Sequence, residues 1–164
     1  VRCIDVAALV AAAVRRTNEK ARVFPFAERV VDVKLDPYAR LAVNAEKLAG
    51  IWGGGTNVSA PLAKLNRERA KVDTVVIVSD NQSWIDSNCY GSTQVMKEWE
   101  QLKRRNPAAK LICIDIQPYG SSQAKDRKDI MNVGGFTDAV FGAMARFANG
   151  EARDWTEIVN EVEV

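Results

Sequence analysis

The apolar residues of this chain follow two alternating rhythms, one helical and one extended. Arg2–Arg16 is alanine, leucine and valine on most faces and is followed by Thr17-Asn18, which predicts a helix packed against a sheet and a neighbour. Ala21–Ala27 (ARVFPFA) and Val30–Leu35 (VVDVKL) read as strands. The short polar Glu28-Arg29 link between them predicts an antiparallel pair with the second strand at an edge. Asp36-Pro37 offers a capping carboxylate and a proline for the first helical position, so a helix is predicted from there to about Ile51. Beyond Gly53–Asn57 (GGGTN), a further helix is predicted from about Ser59 to Ala70. Val72–Ser79 (VDTVVIVS) and Ala109–Ile116 (AKLICIDI) are continuous apolar runs, the pattern of strands buried on both faces of a parallel sheet. Between them, Ser92–Asn106 reads as a helix closed by Pro107. A polar loop, Gln117–Lys128, precedes Val133-Gly134-Gly135 and a helix near Thr137–Ala148, and Glu151–Val164 reads as a short helix and tail.

Helices alternating with buried strands predict an α/β fold, a doubly wound and mostly parallel sheet with helices on both faces. Ligands of such sheets bind in the crevice outside the carboxyl ends of the strands. The functional search therefore goes to Gly53–Asn57, Asp80–Tyr90 and Gln117–Gln123.

Length and composition narrow the classes. The 164 residues form one domain, 1–164, and 47% hydrophobic with 27% charged residues is a soluble globular balance. The chain contains no histidine, which removes serine– or cysteine–histidine triads and histidine-ligated zinc. Cys3, Cys89 and Cys113 are few and odd in number. Cys3 and Cys113 lie in apolar stretches, so buried free thiols in a reducing, cytoplasmic compartment are expected. The net charge of +2 does not argue for nucleic acid, and the basic runs Lys64–Lys71 and Lys103–Arg105 read as solvated helix ends. Val6–Val14 is too short to span a membrane and has the wrong flanks for a signal peptide.

Two positions stand out chemically. The three glycines before Thr56 allow a tight turn, although the loop lacks the lysine and spacing of a P-loop and does not follow a buried strand. Asp80 ends the most hydrophobic run, where a carboxylate faces the crevice. A plain turn and a capping aspartate are the simpler readings of each alone. Together, a hydroxyl after a glycine turn and a carboxylate after the next strand suit a hard cation such as Mg²⁺, which prefers oxygen and keeps several waters.

GGGTNVSAPL followed by VDTVVIVSDNQSW resembles the C-terminal von Willebrand factor A domain of the Ro ribonucleoprotein (TROVE) family, bacterial members above all. The opening CIDVAALVAAAVRRTN and the closing IMNVGGFTDAVF, Ile130–Phe141, are similar to the same family, so the resemblance covers nearly the whole chain. It implies a metal-ion-dependent adhesion site (MIDAS) made of a DxSxS loop after the first strand, a threonine in the second loop and an aspartate after the following strand. Thr56 matches the threonine and Asp80 the aspartate, while no DxSxS occurs in the sequence. In the family's order that first strand is central, between Ala21–Ala27 and Val72–Ser79. Its lack would leave backbone groups unpaired at about 1–3 kcal/mol each when buried. With numbering that opens at Val1, the expectation is a C-terminal fragment of a longer protein whose divalent cation binds weakly or not at all to this chain alone.

The resemblance implies a non-catalytic domain of an RNA-binding protein of RNA quality control. Small non-coding Y RNA and misfolded RNA would be held by an upstream ring of helical repeats, with an exoribonuclease as a further partner. The A domain would present a metal-dependent surface completed by an acidic group of a protein ligand. Two other classes stay open: a Mg²⁺-dependent phosphotransferase or hydrolase using Asp80 or Asp115, and a metal-independent interaction domain using Trp84, Trp99 and the Tyr119-Gly120 loop. Asp115, inside ICIDIQP, has no second aspartate near it in sequence and reads as structural.

Overall fold

The computed structural model describes residues 2–51, 55–80, 94–117, 127–135 and 137–151. Among them run, in order, α1 (Cys3–Thr17), α2 (Leu41–Ala49), α3 (Ala60–Arg67), β1 (Thr74–Ser79), α4 (Gln94–Arg105), β2 (Lys110–Asp115), β3 (Ile130–Gly134) and α5 (Asp138–Asn149). The three strands are parallel in the order β1-β2-β3, with Ser79 opposite Asp115 and Asp115 opposite Gly134 at their carboxyl ends.

Side-chain alternation along the strands builds two cores. Val75, Ile77, Leu111, Cys113 and Ile130 point to one face and pack with Val58, Leu62 and Leu65 from α3 and its entry and with Val95, Trp99 and Leu102 from α4. Ile112, Ile114 and Met131, flanked by Val76, Val78 and Val133, point to the other and pack with Val140, Ala143, Met144 and Phe147 of α5. The expected α/β sheet covered on both faces is thus present. Each fully buried Leu or Ile contributes about 1.5–3 kcal/mol, so the strands' continuous apolar runs drive the layering. Cys113 is buried among these side chains, and burial pushes its thiol up to about 12. Cys3, expected to be buried, is instead half-buried on α1; Cys89 lies outside the described residues.

β1 pairs with β2 alone among the described strands. The carbonyls of Asp73 and Ser79 accept the Lys110 and Ile116 N–H groups at 2.9 Å each. Backbone alternation therefore turns the N–H and C=O groups of Thr74, Val76 and Val78 to the opposite edge, against which no described strand lies.

α1 and α2 pack on each other through Ala8, Ala12 and Leu48, with Val23, Val33, Leu35 and Ile51 around them. Here the sequence expectations need two corrections. The segments Ala21–Ala27 and Val30–Leu35 form no antiparallel strand pair but a single bridge, Phe26 with Val30, closed by Ala27 N–H to Arg29 O at 3.0 Å and Val31 N–H to Pro25 O at 2.7 Å. Pro25 has no N–H to give a ladder. The alternation instead serves two cores, Val23 joining the α1–α2 cluster and Phe24 and Phe26 the α3–α4 one. Likewise α2 begins at Leu41, not at Asp36-Pro37. The Ala39 N–H reaches Asp36 O at 3.2 Å and the Tyr38 N–H reaches Asp36 Oδ1 at 2.9 Å, a β-turn with proline at its second position.

Two further positions differ from expectation. Ile130–Gly134, most of which the sequence pattern assigns to no element, is a strand paired along β2. Trp99, offered as a partner-surface residue, is fully buried and its indole N–H donates to Asp129 Oδ2 at 3.0 Å. Trp84, the Tyr119-Gly120 loop and the predicted helix at Glu151–Val164 lie outside the described residues, apart from Glu151. Among those described, no helix is long and apolar enough to cross a membrane.

Candidate functional site

Short connections fix which end of the sheet each candidate occupies. α3 leads into β1 through residues 68–73, so it runs back against the strand and its start lies toward the strand's carboxyl end. Thr56, half-buried, sits four residues before α3; Asp80, also half-buried, directly follows β1. Val58 and Ile77, two and three residues from these positions, belong to one core cluster, so the two segments are anchored on the same packing. Of the glycine turn, Gly53 and Gly54 lie outside the described residues.

Asn57 organises the segment that carries Thr56. Its N–H donates to Ala27 O at 2.7 Å and its side-chain amide to Glu28 O at 3.3 Å. Its Oδ1 accepts the Ser59 N–H at 3.2 Å and the Ser59 hydroxyl at 2.7 Å. One side chain thus satisfies an orphan donor at the start of α3 and ties the loop to the Ala27–Arg29 turn. Pro61, in the first turn of α3, needs no N–H partner there.

That turn also delivers Glu28, which the sequence reading did not single out. A methyl group added at Gly55 would lie 3.9 Å from Glu28 Cγ and 4.0 Å from its Oε1, so a carboxylate stands beside the residue before Thr56. Those distances are ordinary contact, and Gly55 is therefore not required for room. Glu28 is far from Thr56 in sequence, and only the fold reveals the neighbourhood. Asn57 did carry a local signal, an Asn two positions before Ser59 at a helix start.

At the carboxyl ends of the strands, Ser79 and Asp115 lie side by side in register and are both buried. Asp115 Oδ1 accepts the Gln117 N–H at 3.1 Å, and the Asp115 carbonyl accepts the Gly135 N–H at 2.7 Å. The first bond turns the chain out of β2; the second holds the end of β3, where Gly135 takes a φ of +82° that suits glycine. Asp115 therefore does structural duty at the crevice floor.

The segments at this end carry hydroxyl and carboxylate oxygens, half-buried on Thr56 and Asp80 and buried on Ser79 and Asp115. This chemistry fits a hard divalent cation as part of its shell, the remainder being water or further oxygens. Among the described residues no three Asp, Glu or Cys side chains converge to form a complete cage.

Comparison with known proteins gives a consistent result. A family model described as the Ro60 vWA domain matches residues 1–148. The RNA-binding protein RO60 of Deinococcus radiodurans is 31% identical over 137 residues, covering 83% of this chain and 25% of that protein. The crystal structure of the Deinococcus radiodurans RO (RSR) protein matches with a TM-score of 0.75 at 28% identity, over 92% of this chain and 30% of that one. This chain spans about a quarter of the length of the curated relative it matches. It belongs to the Ro60 family of von Willebrand factor A domains.

Proposed function

We propose that this chain is the non-catalytic A domain of a longer, cytoplasmic Ro-type RNA-binding protein. Its crevice would present a divalent cation to an acidic group of a protein partner. The observation that carries the reading is the family match, which runs through both the Thr56 and the Asp80 segments. Supporting it, the edge of β1 away from β2, along which no described strand pairs, is where a further strand carrying a DxSxS loop would pair, beside Asp80. Thr56 and Asp80 would then supply two oxygens and the DxSxS loop the rest. Small non-coding Y RNA and misfolded RNA would make most of their contacts outside this domain, in the further length that the Deinococcus relative has. An exoribonuclease is the partner class that RNA quality control calls for.

The test is RNA binding by the full-length protein with and without Asp80→Ala. The expected result is a salt-sensitive affinity for Y RNA that the substitution leaves within about twofold, since the crevice serves a protein partner. Absence of salt-sensitive RNA binding would contradict the reading.

A further inference from the structure

The two basic runs lie more than thirty residues apart in sequence, and the fold joins them. Asn106, just after α4, accepts the Val72 N–H on Oδ1 at 3.2 Å and donates to Ala70 O at 3.2 Å. Arg105 donates to Asn66 Oδ1 at 2.5 Å, bringing the last turn of α4 onto that of α3. Both helices end at the amino-terminal end of the sheet, opposite the crevice.

Part of the positive charge there is internally engaged. Lys64 pairs with Asp32 at 3.3 Å and Glu68 at 3.5 Å, and Lys103 donates to Ala109 O at 3.0 Å and lies 3.6 Å from Asp129. Arg105 is held by Asn66. Four cations are left: Arg67, Arg69, Lys71 and Arg104 are exposed, and none makes an ion pair within 4.0 Å among the described residues. Glu68 is taken up by Arg22 at 2.7 Å, which leaves Asp73 as the exposed carboxylate of this stretch.

Helix-end cations complement the helix dipole, and that accounts for Arg67 and Arg104 in the last turns. It does not account for the other two, which lie beyond α3. Arg69 has a φ of +52°, the left-handed position after a helix that glycine fills without strain. Its backbone closes the helix through Arg69 N–H to Asn66 O at 3.1 Å and Ala70 N–H to Leu65 O at 3.0 Å, a geometry glycine would serve better. A long cation thus occupies a position where the fold alone favours its absence.

We propose that this end of the sheet is a docking surface for the phosphate backbone of a nucleic acid strand, held by Arg67, Arg69, Lys71 and Arg104. The choice of nucleic acid over other polyanions rests on the RNA-associated function proposed above. The surface is separate from the crevice and needs no cation there.

The test is fluorescence anisotropy of the full-length protein and its variants with a fluorescein-labelled oligouridylate, titrated across salt concentrations. The four cations together should contribute about 3 to the slope of log affinity against log salt, each phosphate contact contributing roughly 0.7. Arg69→Gly should weaken binding by about threefold or more and make the slope shallower by about 0.7, without lowering the thermal midpoint. The triple variant Arg67→Gln, Lys71→Gln, Arg104→Gln should lose roughly tenfold or more, while Lys20→Gln, Lys34→Gln, Arg40→Gln should change little. Equal losses in the two triple variants, or an Arg69→Gly chain that binds as the parent does, would overturn the proposal. So would polyglutamate of matched charge competing as well as RNA, which assigns the surface to acidic protein. Full-length protein that binds RNA equally well with and without these four cations would overturn the docking surface and leave the functional reading standing.

Discussion

The two ends of the sheet differ in how their charged groups are spent. The segments at the carboxyl end carry oxygen side chains: Thr56, Ser79, Asp80 and Asp115, with Glu28 alongside Gly55. At the amino end, the Arg127, Asp129, Lys103 and Glu100 side chains interlock around the Trp99 indole, and four further cations stay exposed. The polarity of the fold makes such a division available. Parallel strands put all loops of one kind at one end, so a few side chains there can specialise without touching the layers between.

The first way to break this comparison is to remove what both ends are built on. Trp99→Ala empties the α3–α4 core and leaves Asp129 without its indole donor, with an expected loss of about 3–5 kcal/mol in urea unfolding. A loss below about 1 kcal/mol would show that the tryptophan is not the keystone of that core.

The amino end can then be probed through Asp129. Burial alone would raise its carboxyl. The hydrogen bonds from Arg127 and Trp99 and the charges of Arg127 and Lys103 outweigh that and hold it below the ordinary carboxylate value. A folded value below the unfolded one means the contribution is fully present above the unfolded value, about 4, and fades as pH falls through the lowered folded one. Asp129→Asn should cost about 1–2 kcal/mol at neutral pH and flatten the acid limb of a stability profile. An unchanged acid limb would remove Asp129 from the account.

The carboxyl end should respond more mildly. Asn57→Ala loses the cap at the start of α3 and the tie to Ala27–Arg29, with an expected cost of about 1 kcal/mol by thermal or urea melting. Gly135→Ala meets no atom within 4 Å, so its expected cost, also about 1 kcal/mol, is purely that of a side chain at positive φ. A neutral result at Gly135 would mean that the turn after β3 relaxes freely.

Sequence patterning discloses this fold unevenly, and the residues show why. Thr74–Ser79 and Lys110–Asp115 announce themselves because strands buried on both faces must be apolar throughout. Ile130–Gly134 does not, since Asn132 and two following glycines interrupt a run that only pairing with β2 makes a strand. Residues 21–35 mislead in the opposite direction: their alternation is real but divides side chains between two cores, and Pro25 denies the ladder. At the candidate site, Thr56 and Asp80 stand out in the sequence because each marks a loop next to a strong element. Glu28 and the joining of Lys64–Lys71 to Lys103–Arg105 depend on contacts across roughly thirty residues, which no local pattern encodes.

Cation binding at the crevice is tested most directly by titration calorimetry of Mn²⁺ into the full-length protein. A single binding event is expected, which Asp80→Ala abolishes and Thr56→Ala weakens by about tenfold, with Asn57→Ala giving a smaller loss through the displaced loop. Wild-type protein that takes up no divalent cation, or an Asp80→Ala variant that binds it as tightly as the parent, would contradict it.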